Sequence, residues 1–168
     1  MPGITRCRAS GEFNSIQFVD PYKQVEILLV EDNPVDAEFM TRALREGGFA
    51  NKLQWVKDGQ EALDFLSRDN AYAGRDDVLP RLILLDLKMP RLGGVEFLER
   101  IRADDRTRHI PVVVMTSSNE EMDVVRSYDL GVNSYVVKPM DFPTLVQIAR
   151  HAGYYWLAVN RLPEEVKR

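Results

Sequence analysis

The sequence predicts an α/β fold in which five parallel strands make one open, doubly wound sheet with helices on both faces. Three observations lead there. From Val25 onward, short apolar runs alternate with longer segments whose apolar residues recur at helical spacing. Three of the runs are almost wholly apolar, as central strands covered on both sides must be. The helical segments are also punctuated by residues that start and stop helices.

In chain order, the strand runs are Val25 to Val30, Leu53 to Val56, Leu82 to Leu85, Val112 to Met115 and Tyr135 to Val137. The first helix opens on Asn33, whose side chain can cap it, with Pro34 where a missing N–H does no harm, and Gly47-Gly48 can close it. Its expected inward stripe is Val35, Phe39, Ala43 and Leu44. The second helix runs from about Gly59 to Ser67 and presents Ala62, Leu63, Phe65 and Leu66. The third runs from about Val95 to Arg102 with Phe97, Leu98 and Ile101, after a Gly93-Gly94 turn. The fourth spans about Glu120 to Leu130, ended by Gly131, and the fifth starts near Asp141 and continues to about Asn160. Right-handed crossovers leave few topologies for such a (βα)5 chain, and the flavodoxin-like order 2-1-3-4-5 is the common one. The polar stretch Asp69 to Pro80 is long for its place and reads as a contact loop.

The chain has 168 residues, of which 45% are hydrophobic and 29% charged, so one domain with a full core is expected over residues 22–162. Residues 1–21 follow neither period and read as a flexible leader, and 163–168 as a short tail. The net charge of −4 leaves no excess of basic residues for a phosphate backbone, so nucleic acid is not an expected partner. Cys7 is the single cysteine, which excludes an intrachain disulfide. No apolar run has the length of a membrane span, and no secretory signal opens the chain. A cytoplasmic protein is expected.

In this fold, function gathers at the carboxyl ends of the strands. Those ends present Glu31-Asp32, Asp86, Thr116 and Lys138-Pro139. Singly, each has an ordinary structural reading as a turn residue, cap or exposed charge. Together they place three carboxylates, a hydroxyl and an ammonium at one edge. Crowded carboxylates repel, and a divalent cation relieves them; an all-oxygen set with open positions suits Mg²⁺, with Mn²⁺ as an alternative. A resident phosphate cofactor such as FMN is disfavoured, because its binding mode wants Gly, Ser and Thr where this chain has Glu31-Asp32-Asn33-Pro34. A phosphoryl group in transit suits the site better, with Asp86 as nucleophile and Thr116 and Lys138 meeting the product's negative charge.

The stretches ILLVEDNPVD, LILLDLKMPRLGGVEFL, IPVVVMTSS and GVNSYVVKPMD resemble the receiver domain of two-component response regulators, from Val25 to about Asn160. The resemblance implies that Glu31, Asp32, Asp86 and the backbone carbonyl of Lys88 are metal ligands and that Asp86 is the phosphoacceptor. It implies Thr116 as switch hydroxyl, Tyr135 as aromatic switch residue and Lys138 as the partner of the phosphoryl group. The Lys138-Pro139 bond is expected to be cis. Lys88 and Ser118 occupy the positions that tune how long the acyl phosphate lasts. The implied donor is a phosphohistidine on a sensor histidine kinase, and the regulator catalyses its own phosphorylation and dephosphorylation.

After Asn160 only eight residues remain, so no effector domain is expected, and output should run through protein contacts, relay to a downstream phosphotransfer protein or self-association. Tyr154-Tyr155-Trp156-Leu157 places bulky side chains on every face of one turn, beyond an inward stripe of Leu145, Ile148, Ala149, Ala152, Trp156 and Val159. That cluster reads as a partner surface. With the long Asp69 to Pro80 loop it resembles the regulators paired with bacterial phytochrome histidine kinases, and a homodimer through the fifth helix is expected. Two alternatives come from other classes. An aspartate-nucleophile phosphatase would want a second carboxylate two residues after the nucleophile, where Lys88 stands. A pseudo-receiver binding module would have lost the charge set that this chain keeps.

Overall fold

A computed structural model describes residues 25–49, 53–76, 78–117 and 120–162, so the expected leader, the tail and Ser118 lie outside the described residues. The elements are β1 (Ile27–Val30), α1 (Pro34–Glu46), β2 (Leu53–Val56), α2 (Gly59–Ser67), β3 (Leu82–Leu85), α3 (Gly94–Ala103), β4 (Val112–Thr116), α4 (Glu121–Asp129), β5 (Ser134–Val137) and α5 (Phe142–Gly153). The sheet is wholly parallel in the order β2-β1-β3-β4-β5. Topology and fold class are those expected.

Strand alternation splits the core in two. One face packs Leu28, Val30, Ile83, Leu85, Val112 and Val114 against Phe65 of α2 and Phe97 and Leu98 of α3. The other packs Ile27, Leu29, Leu82, Leu84, Val113 and Met115 against α1 and α5. Every residue of β1, β3 and β4 is buried, which is why these strands lack the polar alternation of a half-exposed sheet.

Two helices present different faces from those expected. Helix α1 buries Ala37, Met40, Ala43 and Leu44, while Val35 and Phe39 are exposed. Asn33 accepts from the N–H groups of Val35 and Asp36 and fixes the first turn, and Phe39 falls on the flank toward α5. There the Phe39 ring lies 6.1 Å from that of Phe142. Helix α5 buries Leu145, Ala149 and Gly153, and then Leu157 in a continuing wide, π-helical turn over Tyr154–Val159. Its i→i+5 bonding, closed by Asn160 N–H to the Tyr155 carbonyl at 2.7 Å, advances the inward position by one residue. Leu157 is therefore core and not partner surface, Val159 is exposed, and Trp156 is half-buried. Arg81 donates to the Leu157 carbonyl at 2.8 Å and ties this turn to the start of β3.

Part of the Asp69 to Pro80 stretch packs back on α2. A 3₁₀ turn over Asn70–Tyr72 brings the Tyr72 ring edge-on to Phe65 at 5.1 Å, and the buried Arg75 guanidinium lies 4.0 Å over that same ring. The Lys138-Pro139 bond is trans, since no cis bond occurs among the described residues; trans is the intrinsic preference of X-Pro bonds.

The turn before α3 separates its two glycines. A Cβ on Gly94 would lie 2.4 Å from the Asp86 carbonyl oxygen and 2.7 Å from the Leu87 Cα, whereas one on Gly93 would meet nothing closer than 3.7 Å. Gly94→Ala should therefore cost about 1–3 kcal/mol by overpacking, and Gly93→Ala within about 0.5 kcal/mol of nothing, read from urea unfolding midpoints.

Candidate functional site

Parallel strands bring their carboxyl ends to one edge of the sheet, and the predicted residues meet there. Glu31 follows β1, with its N–H donated to the Val56 carbonyl of β2, and its own carbonyl accepts from Trp55 Nε1 at 2.8 Å. Asp86 follows β3 and donates its N–H to the Val30 carbonyl. Lys138 follows β5 and donates its N–H to the Thr116 carbonyl at the end of β4. These backbone bonds tie β2, β1 and β3 to one another and β4 to β5.

Carboxylate oxygens of Glu31, Asp32 and Asp86 lie within 4.8 Å of one another, with Glu31 and Asp86 buried and Asp32 half-buried. The Lys138 ammonium donates to Glu31 Oε2 at 2.6 Å, Asp36 Oδ2 at 2.8 Å and Asp86 Oδ2 at 3.0 Å. The other Asp86 oxygen, Oδ1, accepts from the Lys88 N–H at 3.2 Å, which holds the carboxyl group in one plane. Glu31 Oε1 accepts from the Asn33 N–H at 3.2 Å.

Burial is the largest influence on Glu31 and pushes its carboxyl up to about 7; the hydrogen bond and attraction of Lys138 oppose the rise, and the charge of Asp86 adds to it. Burial also works against the charge on Lys138, but bonds to Asp36 and Glu31 and the attraction of Asp86 outweigh it. Its ammonium is held above the ordinary lysine value. The donor set is all oxygen, and one of its members resists ionising beside its neighbours. That combination fits a hard divalent cation, whose charge would settle the repulsion.

Thr116 is fully buried, and Tyr135 is half-buried against the core on the α2–α3 face. Tyr135 pairs in register with Val114, two residues before Thr116, so the side chains of Tyr135 and Thr116 lie on the same face of the sheet. Lys88 reaches away from the carboxylates to Glu120, Nζ to Oε1 at 2.8 Å, just before α4. Sequence reasoning missed two partners here: Asp36 on Lys138, and Glu120 on Lys88. Asp36 lies in the first turn of α1, and no spacing in the sequence signals its contact with Lys138.

The family model described as the response regulator receiver domain matches residues 27–150. The chain belongs to the response regulator receiver family. The probable methanogenesis regulatory protein FilR2 of Methanothrix harundinacea (strain 6Ac) is 42% identical over 137 residues, covering 82% of this chain and 86% of the relative. The phosphorylated cyanobacterial phytochrome response regulator RcpA superposes with a TM-score of 0.74 at 39% identity, covering 82% of this chain and 96% of its own. The Mn²⁺-bound form of response regulator Rcp1, a protein known from Synechocystis, superposes at 0.73 with 36% identity, covering 82% and 97%. Receiver domains bind Mg²⁺, and the acidic cluster of this receiver has the donors for it. No helix among the described residues is long and apolar enough to cross a membrane.

Because Glu31 must lose its proton to serve as a ligand, Mg²⁺ affinity should rise by up to about tenfold per pH unit toward pH 7 and level off above it. Stability of the metal-free chain should move the opposite way. The Glu31 value lies above its ordinary 4.5, so its stabilising contribution is complete below that pH and is lost as pH rises through about 7. Mg²⁺ titrations followed by tryptophan fluorescence, with urea unfolding at each pH, check both, and Glu31→Gln should flatten both profiles.

Proposed function

We propose that this receiver takes a phosphoryl group onto Asp86 from a phosphohistidine of a sensor histidine kinase, and signals through protein contacts. The observation that supports the reading best is the Lys138 ammonium bonded at once to Asp86 and Glu31, a fixed cation beside a buried carboxylate nucleophile. One Asp86 oxygen attacks phosphorus, the P–N bond to the donor imidazole breaks, and its electron pair returns to the ring nitrogen. Nothing is oxidised or reduced. Lys138 and the Lys88 N–H hold the Asp86 carboxyl in place for the attack. Glu31, Asp32, Asp86 and the Lys88 carbonyl would hold Mg²⁺ or Mn²⁺, which when bound supplies charge neutralisation for the phosphoryl oxygens. Lys138 then turns part of its charge to the phosphoryl group, and the Thr116 hydroxyl meets it from β4.

The product adds nearly two negative charges beside Lys138 and Thr116. Drawing the Thr116 hydroxyl toward them opens room on the sheet face where Tyr135 lies, and Tyr135 follows inward. The surface of α4, β5 and α5 changes with it. This self-catalysed gain and loss of the phosphoryl group is the only chemistry the reading requires. Similarity to RcpA and Rcp1 supports a phytochrome-type sensor kinase as donor, a cytoplasmic setting, and residues 22–162 acting as one receiver unit. Tyr154 and Tyr155 are exposed at the end of α5, with Tyr155 edge-on to Trp156 at 4.9 Å, and we assign this rigid aromatic surface to a homodimer contact.

Incubation with acetyl phosphate and Mg²⁺ should add one phosphoryl group to the wild-type chain by intact mass, none to Asp86→Asn, and none to wild type in EDTA. Equal labelling of the mutant would remove Asp86 from the mechanism. Tyr154→Ser with Tyr155→Ser should shift the sizing profile from dimer to monomer without lowering the unfolding midpoint; an unchanged profile rejects the aromatic contact.

A further inference from the structure

An ammonium has three protons to give, and Lys138 gives all three to carboxylates: Glu31, Asp36 and Asp86 at 2.6, 2.8 and 3.0 Å. On the proposed reading, two of these acceptors acquire other obligations during phosphorylation. Glu31 is needed by the metal, and the attacking oxygen of Asp86 is needed by phosphorus. Asp36 has neither task. It belongs to the first turn of α1, outside the Glu31, Asp32 and Asp86 cluster, and its backbone N–H is anchored on the Asn33 cap. Its side chain is 35% exposed, against 4% for Glu31, 7% for Asp86 and 14% for Lys138. It therefore gives the lysine a fixed acceptor on the solvent side at a smaller desolvation cost than its buried partners incur.

Resting on the phosphoacceptor reading above, we propose that Asp36 is a positioning residue that keeps the Lys138 ammonium aimed at Asp86 while Glu31 and Asp86 are drawn into the reaction. Without Asp36, the ammonium loses the one acceptor that the reaction leaves in place and meets the incoming phosphoryl group less often in the right position. The chemistry is unchanged: the Asp86 O–P bond forms as the donor's P–O or P–N bond breaks, and the electron pair leaves with the donor. Asp36 acts on how often Lys138 is in position, which is a term in the maximal rate and not in donor binding.

The test uses the full chain with acetyl phosphate, measuring labelling rates at saturating Mg²⁺ across donor concentrations, together with Mg²⁺ affinity and unfolding midpoint. Asp36→Ala should lower the maximal rate by roughly three- to tenfold, the size expected for a partly exposed charge-assisted bond, while donor half-saturation and Mg²⁺ affinity change by less than about twofold. Asp36→Glu, which keeps the charge, should recover most of the loss, and the unfolding midpoints should match wild type. An unchanged maximal rate in Asp36→Ala, an Asp36→Glu variant as slow as Asp36→Ala, or an equal fall in Mg²⁺ affinity would each overturn the assignment. Asp86→Asn in the same assay keeps the two ideas apart: labelling there defeats the phosphoacceptor reading, whereas a silent Asp86→Asn beside a full-rate Asp36→Ala defeats only the role of Asp36.

Discussion

The site depends on one charge balance. A parallel sheet delivers the ends of its strands to a single edge, and here that edge receives Glu31, Asp32 and Asp86, carboxylates close enough to share one ion. Their mutual repulsion is contained by the Lys138 ammonium, which also joins the outermost strand β5 to β1 and β3. Buried ion pairs of this kind contribute little net stability, because desolvation offsets the attraction. Burial, with the charge of Asp86, pushes the Glu31 carboxyl up to about 7 against the pull of Lys138, and a divalent cation held by these carboxylates would offset that rise. A structure that only needed to fold would bury apolar side chains at this edge; keeping four charged groups there is explained by chemistry done on charged groups.

The two faces of the sheet are covered by different helices. Helices α1 and α5 pack together on one side through small residues such as Ala37, Ala43, Ala149 and Gly153, where a Cβ on Gly153 would come within 2.4 Å of the Phe49 ring. On the other side α2 and α3 bury Phe65, Leu66, Phe97 and Leu98. Helix α4 has no comparable anchor: among its described side chains only Ser127 is buried, and Met122, Val125 and Tyr128 face solvent. Its ties to the rest include two exposed ion pairs, Lys88 with Glu120 and Arg126 with Glu99, and pairs of that kind are individually weak. Among the described side chains, α4 is therefore the helix with the least buried anchoring.

Most of this was legible in the sequence because it follows from periodicity and from residues at strand ends. Central strands with no polar member, the Asn33-Pro34 cap, and Glu31, Asp32, Asp86, Thr116 and Lys138 at their ends all stand in the structure as expected. Two misreadings share a cause, which is that helical phase is set by neighbours. The stripe of α1 was misjudged by the inclusion of Val35 and Phe39, since apolar residues on a flank look the same in one dimension as those on the buried face. Leu157 was placed outward because a 3.6-residue period was extended through a turn that is wider than that. Nothing in the composition of the Asp69 to Pro80 stretch says that Arg75 stacks on Phe65. Asp36 was missed for a different reason: its partner lies 102 residues away, and only the folded sheet brings them together.

The route from the acidic edge to the molecular surface follows from strand geometry. Side chains two residues apart on a strand share a face, and residues paired across adjacent strands do too. Val114 and Thr116 therefore point to one side of β4, and Tyr135, in register with Val114, points to that same side of β5. That is the side packed by α2 and α3, where Tyr135 is only half-buried and α4 is weakly anchored. Met115, on the opposite side of β4, is buried beneath α1 and α5. The strand's alternation thus sends Thr116 to the face that carries Tyr135 and α4, and sends Met115 to the face beneath α1 and α5.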